Sequence, residues 1–163
     1  MDAIEVLKTR RSVRTYTREP VPKSALEDIV DCARLAATAR NEQPWEFIVI
    51  TDQKVRERLG KLATNGPFIA EAPACIVTLC RDGTYYLEDG SAATQNILLA
   101  ARALGLGSCW VAGDKKPYAQ AVLELIGAPP GYKLVSLVAL GHTTTTPKSS
   151  KRALTEVLHW EKF

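Results

Sequence analysis

The sequence is organised around two polar segments, RRSVR at residues 10–14 and TARNEQPW at residues 38–45. The first places three guanidinium groups and one hydroxyl within five residues. Because a guanidinium group donates paired N–H bonds to phosphate and carbonyl oxygens, this segment suits a dianionic phosphate and the carbonyl edge of a heterocycle. The second segment follows an apolar helical pattern and precedes a strand pattern, where a polar loop can meet a ligand. Together the two segments predict a phosphate site and a loop that binds the edge of a ring.

A second basic run lies near the C-terminus, at residues 148–152. A phosphate site needs donors from more than one element, so two basic runs that fold to one place would bracket a phosphate. The alternative is that each run is a solvated surface segment. We favour the bracket because the loop at residues 38–45 adds the polar Asn-x-Gln-Pro-Trp pattern.

Helical and strand patterns follow one another in a mixed order. Two helix starts have local signals: Asp52 is a good N-cap, and Ser24 with Glu27 has the spacing of a capping box behind Pro22. We predict helices over residues 2–9, about 22–37, 53–62, 85–105, 117–126 and 154–160, and strands over residues 46–51, 74–79, 108–111 and 132–140. This order predicts an α+β fold in which helices cover a mostly antiparallel sheet.

The predicted helix at residues 85–105 is apolar on nearly every face, and such a helix must be buried all round. In so small a chain, the simplest cover is a second copy of the protein, which we favour over a purely internal core helix. The sequence therefore predicts a homodimer.

The composition bounds the class of protein. With 163 residues, 46% hydrophobic and 24% charged, the chain has the size of one globular domain over residues 1–163. Its formal net charge of +3 comes from basic residues that cluster weakly, around residues 8–18, 54–61 and 148–152, so we expect no nucleic-acid partner. No basic-then-apolar signal segment and no apolar run of eighteen residues is present. We therefore expect a cytoplasmic protein with no membrane partner.

Several other kinds of site are not supported by the residues. The four cysteines form no Cys-x-x-Cys pair and have no ligand-like spacing with His142 or His159, so we expect no metal site. The segment at residues 105–107 lacks the third glycine of a dinucleotide-binding loop and follows a helix instead of a strand. We find no Ser/His/Asp set and interpret both histidines as structural.

Five landmarks occur in order along the chain: the Arg-Arg-Ser-x-Arg segment, the Asn-x-Gln-Pro-Trp loop, an Ala/Leu-rich helix opening at Asp89 to Asn96, the run from Ala103 to Trp110, and Leu140-Gly141-His142 before the basic tail. In this order the chain resembles the FMN-dependent nitroreductase family over nearly its whole length. The resemblance implies a nitroreductase-like α+β fold, an intertwined homodimer, and two FMN sites at the subunit interface.

The resemblance also implies roles for single residues. In the first segment, Arg10 and Ser12 would hold the phosphate or ribityl end, and Arg14 would lie near the N1/C2 carbonyl edge of the pyrimidine, where a cation stabilises the reduced flavin. The implied cofactor-binding residues are Arg10, Arg11, Ser12, Arg14, Thr38, Ala39, Asn41, Asn65, Trp110, Val111, Ala112, Gly113, Lys151 and Arg152, with the choice between Lys151 and Arg152 as the phosphate base left open.

The remaining implied residues surround the flavin ring. The segment from Thr38 to Asn41 would approach from the other subunit, and Asn65 would meet the pyrimidine edge. Residues 110–113 would run along the ring with a backbone N–H near N5, the atom that receives hydride. The chain departs from the family at Ala37, where many members have proline, and at Phe68, where some have lysine. It is also short between residues 113 and 132, which implies an open site with loose substrate discrimination.

The function implied is that of an FMN-dependent NAD(P)H oxidoreductase. It would pass electrons by a ping-pong mechanism to a small acceptor such as a nitroaromatic or a quinone. The flavin carries the chemistry, and no side chain is a named catalytic acid or base. The alternatives are a specialised flavoenzyme of the same fold, such as a dehalogenase or flavin destructase, a non-catalytic flavin carrier or redox sensor, or a purely structural protein. The sequence does not choose between NADH and NADPH.

Overall fold

A computed structural model describes residues 1–163 of the chain. Its α-helices are α1 (Ala3–Thr9), α2 (Lys23–Arg34), α3 (Gln53–Leu62), α4 (Tyr86–Ala103) and α5 (Ala119–Leu125). The strands are β1 (Trp45–Ile50), β2 (Ala74–Arg81), β3 (Gly107–Ala112) and β4 (Tyr132–Gly141). Short 3-10 turns cover Ala39–Asn41, Pro67–Ala70 and Leu154–Glu156. None of the helices is both long enough and apolar enough to cross a membrane.

The four strands form one antiparallel sheet in the order β1-β2-β4-β3. Side chains alternate between its two faces. On one face Ile76 and Val138 pack in a cluster with α2 and α4, and on the other Val77 and Leu137 pack with α3 and α5. The central strands are therefore covered on both sides, which explains their nearly continuous apolar sequences. The expected α+β fold with a mostly antiparallel sheet is confirmed.

Two helix caps are predicted from the sequence, and one of them is wrong. The Asp52 carboxylate accepts a hydrogen bond from the Val55 N–H at 3.0 Å, as an N-cap should. Before α2, however, Pro22 is the N-cap residue and no side chain caps the helix. Glu27 instead forms an exposed ion pair with Lys23, with 3.4 Å between Nζ and Oε1. The capping box fails because Glu27 points along the helix to a lysine one turn away.

The second helix also ends earlier than predicted. It stops at Arg34 instead of about Ala37, and the chain is extended by Thr38. The early end brings the Thr38 hydroxyl to the Asp89 carboxylate, where it donates at 2.7 Å. The position at which α2 ends is thus linked to the long-range contact between Thr38 and Asp89, which local helix propensity does not reveal.

The long helix α4 is covered largely from within the chain. Its buried side chains include Ala93, Ile97 and Ala101, which face the sheet and α2, whereas Ala103 is exposed and Leu99 is half-buried. In the single chain, α2 and the sheet together thus cover most but not all of the circumference of α4. That a second copy of the protein covers the remainder stays a prediction.

The predicted amphipathic helix at residues 154–160 is absent. Only the 3-10 turn Leu154–Glu156 forms there, and all residues from 148 to 163 are exposed. A segment this short gains too little from its own hydrogen bonds to stay helical without a surface to pack against. Nothing within the chain supplies that surface.

The cysteines differ sharply in accessibility. Cys32 is exposed, whereas Cys75, Cys80 and Cys109 are buried. Burial raises the pKa of Cys75 and of Cys80 to about 12 and also raises the pKa of Cys109. We therefore expect a thiol reagent at pH 8 to modify Cys32 alone in the native protein. Mass spectrometry should show one adduct on the folded chain and four after denaturation; a second adduct before unfolding would contradict this prediction.

Candidate cofactor site

The N-terminal basic segment lies against the outer edge of β3. The Val13 N–H donates to the Ser108 carbonyl at 2.9 Å, and Ser12 pairs with Ser108 in a short parallel bridge. Val13 is buried beside Gly107, where a Cβ atom would lie 2.8 Å from Val13 Cγ1. This close approach, which only glycine allows, fixes the segment so that the residues on either side of Val13 are placed at the sheet edge.

The same segment lines a strongly basic cleft. Arg10 and Arg11 border a cavity of about 130 Å³ together with Arg102 and the threonine loop at residues 143–146. An adjoining cavity of about 590 Å³ adds Lys8 and Lys148 to Arg11 and Arg102. No aspartate or glutamate lines either cavity. None of these five basic side chains forms an ion pair within the chain.

A group of unpaired cations in one place is electrostatically unfavourable unless an anion joins it. Hydroxyl donors from the threonine loop add neutral hydrogen-bonding groups to the same cleft. Arg102 is held in position because its Nε donates to Thr9 Oγ1 at 3.1 Å. The arrangement is chemically suited to a phosphate, which accepts several hydrogen bonds and carries about two negative charges near neutral pH.

Sequence reasoning missed three parts of this cleft, namely Arg102, Lys148 and the loop at residues 143–146. Arg102 lies in the last turn of α4, and nothing local connects it with a residue of α1. Lys148 begins the second basic run, whereas the resemblance implies a phosphate base at the end of that run. The threonine repeat was a visible signal, since four consecutive hydroxyls after a strand are unusual.

The structure does not bring Lys151 or Arg152 to the cavities. Arg152 instead donates to the Glu156 carbonyl at 2.6 Å and lies 3.8 Å from the Glu156 carboxylate. Both residues are exposed. Lys148, at the beginning of the second basic run, thus lies at the cleft with the first run, as a phosphate site between the two runs requires. Lys151 and Arg152, at the end of the second run, do not.

A second group of predicted residues gathers near the C-terminal end of β3. The Arg14 guanidinium carbon lies 5.8 Å from the centre of the Phe68 ring, which is a cation–π arrangement. Phe68 follows the exposed Asn65 by three residues, and between them a Cβ on Gly66 would lie 2.8 Å from Val111 Cγ2. The turn that carries Asn65 is therefore packed directly against β3 through Gly66, and the ring of Phe68 in the same turn lies under Arg14.

The outer edge of β3 offers backbone donors. Hydrogen bonds of alternate residues in a strand point to the same side, and the Ser108 carbonyl points outward to Val13. The N–H groups of Trp110 and Ala112 therefore also point outward, beyond the stretch that the N-terminal segment covers. Gly113 turns back to the sheet, where its N–H donates to the Val135 carbonyl at 3.0 Å and a Cβ would lie 2.5 Å from Leu134 Cγ.

The predicted loop from Thr38 to Asn41 is tied to a different place, the first turn of α4. No hydrogen bond joins this loop to residues 10–14 within the chain. The first turn of α4 also holds the loop after β3, because the Tyr86 hydroxyl donates to Asp114 at 2.5 Å. This hydrogen bond, with some burial, raises the pKa of Tyr86 to about 12. One helical turn thus anchors both loops that the resemblance places at a flavin ring.

These features fit FMN. The cleft without carboxylates suits the phosphate, Arg14 and Asn65 suit the polar edge of the pyrimidine, and the open edge of β3 leaves backbone N–H groups for a flat ring. Ser108 belongs both to β3 and to the lining of the cleft, so the phosphate site and the ring edge are continuous.

Comparison with known proteins agrees with this geometry. The sequence model described as the Nitroreductase family matches residues 7–87 and 81–142. An Archaeoglobus fulgidus protein provisionally named NADH dehydrogenase/NAD(P)H nitroreductase is 37% identical over 92% of this chain and 88% of its own.

Two solved structures are similar as well. The FMN-dependent nitroreductase of Clostridium difficile is 30% identical, with a TM-score of 0.92 over 98% of this chain and 99% of its own. A provisionally named nitroreductase from Desulfovibrio desulfuricans, solved in complex with FMN, is 29% identical, with a TM-score of 0.89 over 100% of this chain and 98% of its own. Since the family match spans most of the sequence and the relatives share both length and fold, the chain belongs to the nitroreductase family.

Proposed function

We propose that this chain is an FMN-dependent NAD(P)H oxidoreductase whose residues 1–163 form one FMN-binding domain. It passes electrons by a ping-pong mechanism to a small acceptor such as a nitroaromatic or a quinone. The observation that carries the proposal is the basic, carboxylate-free cleft that continues into the open outer edge of β3. Membership of the nitroreductase family and the FMN complex of one relative support the same cofactor.

The residues have separate tasks in this proposal. Arg10, Ser12 and the cleft bind the phosphate end, while Arg14 and Asn65 bind the polar edge of the pyrimidine. The outward N–H groups of Trp110 and Ala112 orient the ring at its central edge. When bound, FMN supplies a hydride acceptor and returns the electrons to a second substrate at the same face.

In this proposal the protein contributes binding, orientation and electrostatics, and the flavin carries the chemistry. Under the same proposal, the Arg14 guanidinium group places a positive charge beside the pyrimidine edge. Tyr86, with its pKa raised to about 12, stays protonated and continues to hold Asp114. Protons for the reduced acceptor therefore come from solvent.

We also propose that the chain is a homodimer. Large apolar side chains are exposed on α1, at Ile4 and Leu7, and along the tail, at Leu154, Val157, Leu158, Trp160 and Phe163. Trp160 is 78% exposed, and a tail with this many uncovered apolar groups is unusual for a chain that stays monomeric. Light scattering should give twice the chain mass of 17.8 kDa, and a mass of one chain would contradict the dimer.

The function is tested by the visible spectrum of the purified protein. We expect flavin bands that bleach when NADH or NADPH is added without oxygen, and that return when a quinone is added. A yellow protein that neither nicotinamide bleaches would favour a flavin carrier or redox sensor. A colourless protein that cannot be reconstituted with FMN would overturn the proposal. A panel of nitroaromatic, quinone and halogenated acceptors would then identify the acceptor class.

A further inference from the structure

A single buried carboxylate connects the Thr38–Asn41 loop to the rest of the protein. Asp89 is only 4% exposed, and both of its oxygens are engaged. Its Oδ2 accepts from the Thr38 hydroxyl at 2.7 Å, and its Oδ1 accepts from the Ala39 N–H at 3.0 Å. The Thr38 hydroxyl oxygen in turn accepts from the Gln43 N–H at 3.0 Å. These bonds to Asp89 are the only hydrogen bonds that join residues 38–43 to other parts of the chain.

The loop needs such a contact because its backbone is strained. Arg40, Asn41 and Gln43 have φ angles of 52°, 58° and 48°, in the left-handed region that residues other than glycine rarely adopt. Three such residues within four positions persist only when surrounding contacts hold them. The Arg40 and Glu42 side chains are exposed and form no ion pair, so they do not supply those contacts.

The surroundings of Asp89 otherwise disfavour a charge. The adjacent Gly90 lies directly against Cys80 and Val135, and no cation pairs with Asp89. Two features offset the cost of burial: the two donors from the loop, and its place in the first turn of α4, where the helix dipole favours negative charge. The carboxylate is thus stabilised mainly by the loop that it holds.

We propose that Asp89 is a positioning residue for FMN binding. Through Thr38 and Ala39 it holds the loop that carries Asn41 in the shape that contacts the flavin of the partner subunit. This inference rests on the proposed function, and it adds a residue that touches neither the flavin nor the substrate. It also predicts that the effect of Asp89 is felt at the partner's site and not at the site formed by Arg10 of the same chain.

The first test compares two variants of the same contact with one control. Asp89→Asn keeps the shape but presents an amide where the loop needs an acceptor for two donors, and Thr38→Val removes the hydroxyl from the other side. Each is expected to weaken FMN binding by about tenfold, the loss typical of one hydrogen bond to a charged group. The double variant should bind FMN only slightly more weakly than either single variant, because both changes break the same hydrogen-bond network.

The control is Thr94→Val, on the same helix. Thr94 is fully buried and its hydroxyl lies 2.8 Å from Ser136 Oγ, so the change removes a buried polar contact without touching the loop. It should lower the unfolding temperature but leave FMN affinity and the circular dichroism of the bound flavin within about twofold of wild type. If Asp89→Asn and Thr38→Val behave like this control, the inference is wrong. Should Asp89→Asn fail to fold, Thr38→Val still tests the inference, because wild-type FMN affinity in that variant would overturn it.

Hybrid dimers test the cross-subunit assignment. When one subunit carries Arg10→Ala and its partner carries Asp89→Asn, one site receives both defects and the other receives neither. We then expect half of the sites to bind FMN with wild-type affinity. If the loop served the site of its own chain, both sites would be damaged and no wild-type site would remain. A wild-type protein that binds no FMN would instead overturn the proposed function, which is a different result from either of these.

Discussion

Replacing Arg10 with alanine is expected to weaken FMN binding by about 10- to 100-fold. Arg10 borders the cleft in which no carboxylate competes for its charge, so its guanidinium group is free to bind a phosphate. A hydrogen bond between charged groups is worth about 1.5–3 kcal/mol, and about 1.4 kcal/mol corresponds to a tenfold change in the dissociation constant. Titration of the apoprotein with FMN, followed by quenching of flavin fluorescence, measures the change directly.

The control for this change is Arg58→Ala, which removes the same charge from an exposed position on α3 that lines none of the cavities described above. It should alter FMN affinity by less than about twofold, because charges separated by more than about 8–10 Å are largely screened at physiological salt. Equal losses in the two variants would mean that Arg10 acts only through net charge. A comparison of Lys148→Ala with Lys151→Ala would also show which part of the second basic run reaches the phosphate; the cleft favours Lys148.

Replacing Arg14 with alanine is expected to lower the two-electron reduction potential of the bound flavin by about 30 mV, which corresponds to about 1.4 kcal/mol. The reduced flavin carries more negative charge at the pyrimidine edge than the oxidised form, so a nearby cation stabilises the reduced form selectively. Arg14 is exposed, although its guanidinium group is held over Phe68 at 5.8 Å, and solvent therefore limits the size of the effect. Equilibration with a reference dye of known potential measures the shift.

The matched variant is Arg14→Lys, which keeps the positive charge but loses the planar fork. Arg14→Lys should keep the reduction potential of the bound flavin close to the wild-type value while weakening FMN binding. A comparison of Arg14→Lys with Arg14→Ala therefore separates the effect on potential from the effect on affinity. If alanine and lysine at position 14 give the same potential as arginine, the charge of this residue does not tune the flavin. Reduction by NADH should slow in Arg14→Ala in step with the lower potential.

Much of the fold follows from local patterns in the sequence. The strands β2 and β4 are long runs of apolar and β-branched residues, and each predicted strand lies within three residues of the observed one. Asp52 is an N-cap whose partner, Val55, is three positions away. Such features depend on neighbours along the chain, so they are visible without any knowledge of tertiary structure.

The capping box before α2 and the helix at residues 154–160 show where local patterns fail. Ser24 and Glu27 have the spacing of a capping box, but Pro22 is the N-cap residue of α2 and no side chain caps the helix. The C-terminal segment has an amphipathic pattern, yet within one chain it has no surface to bury its apolar side. An amphipathic pattern predicts which face of a helix would be buried, but it does not show whether the protein provides a surface to cover that face.

The residue patterns alone predict the α+β class, the strands of the sheet, and a dense basic segment suited to phosphate. Which groups join that segment depends on the packing of distant elements. Arg102 meets Thr9 across 93 residues, and Asp89 meets Thr38 across 51. Contacts of this kind arise when helices and loops pack on a common sheet, and their partners have no fixed spacing along the chain. The local chemistry of the site was therefore predictable, whereas the contacts that shape it depend on how the chain folds back on itself.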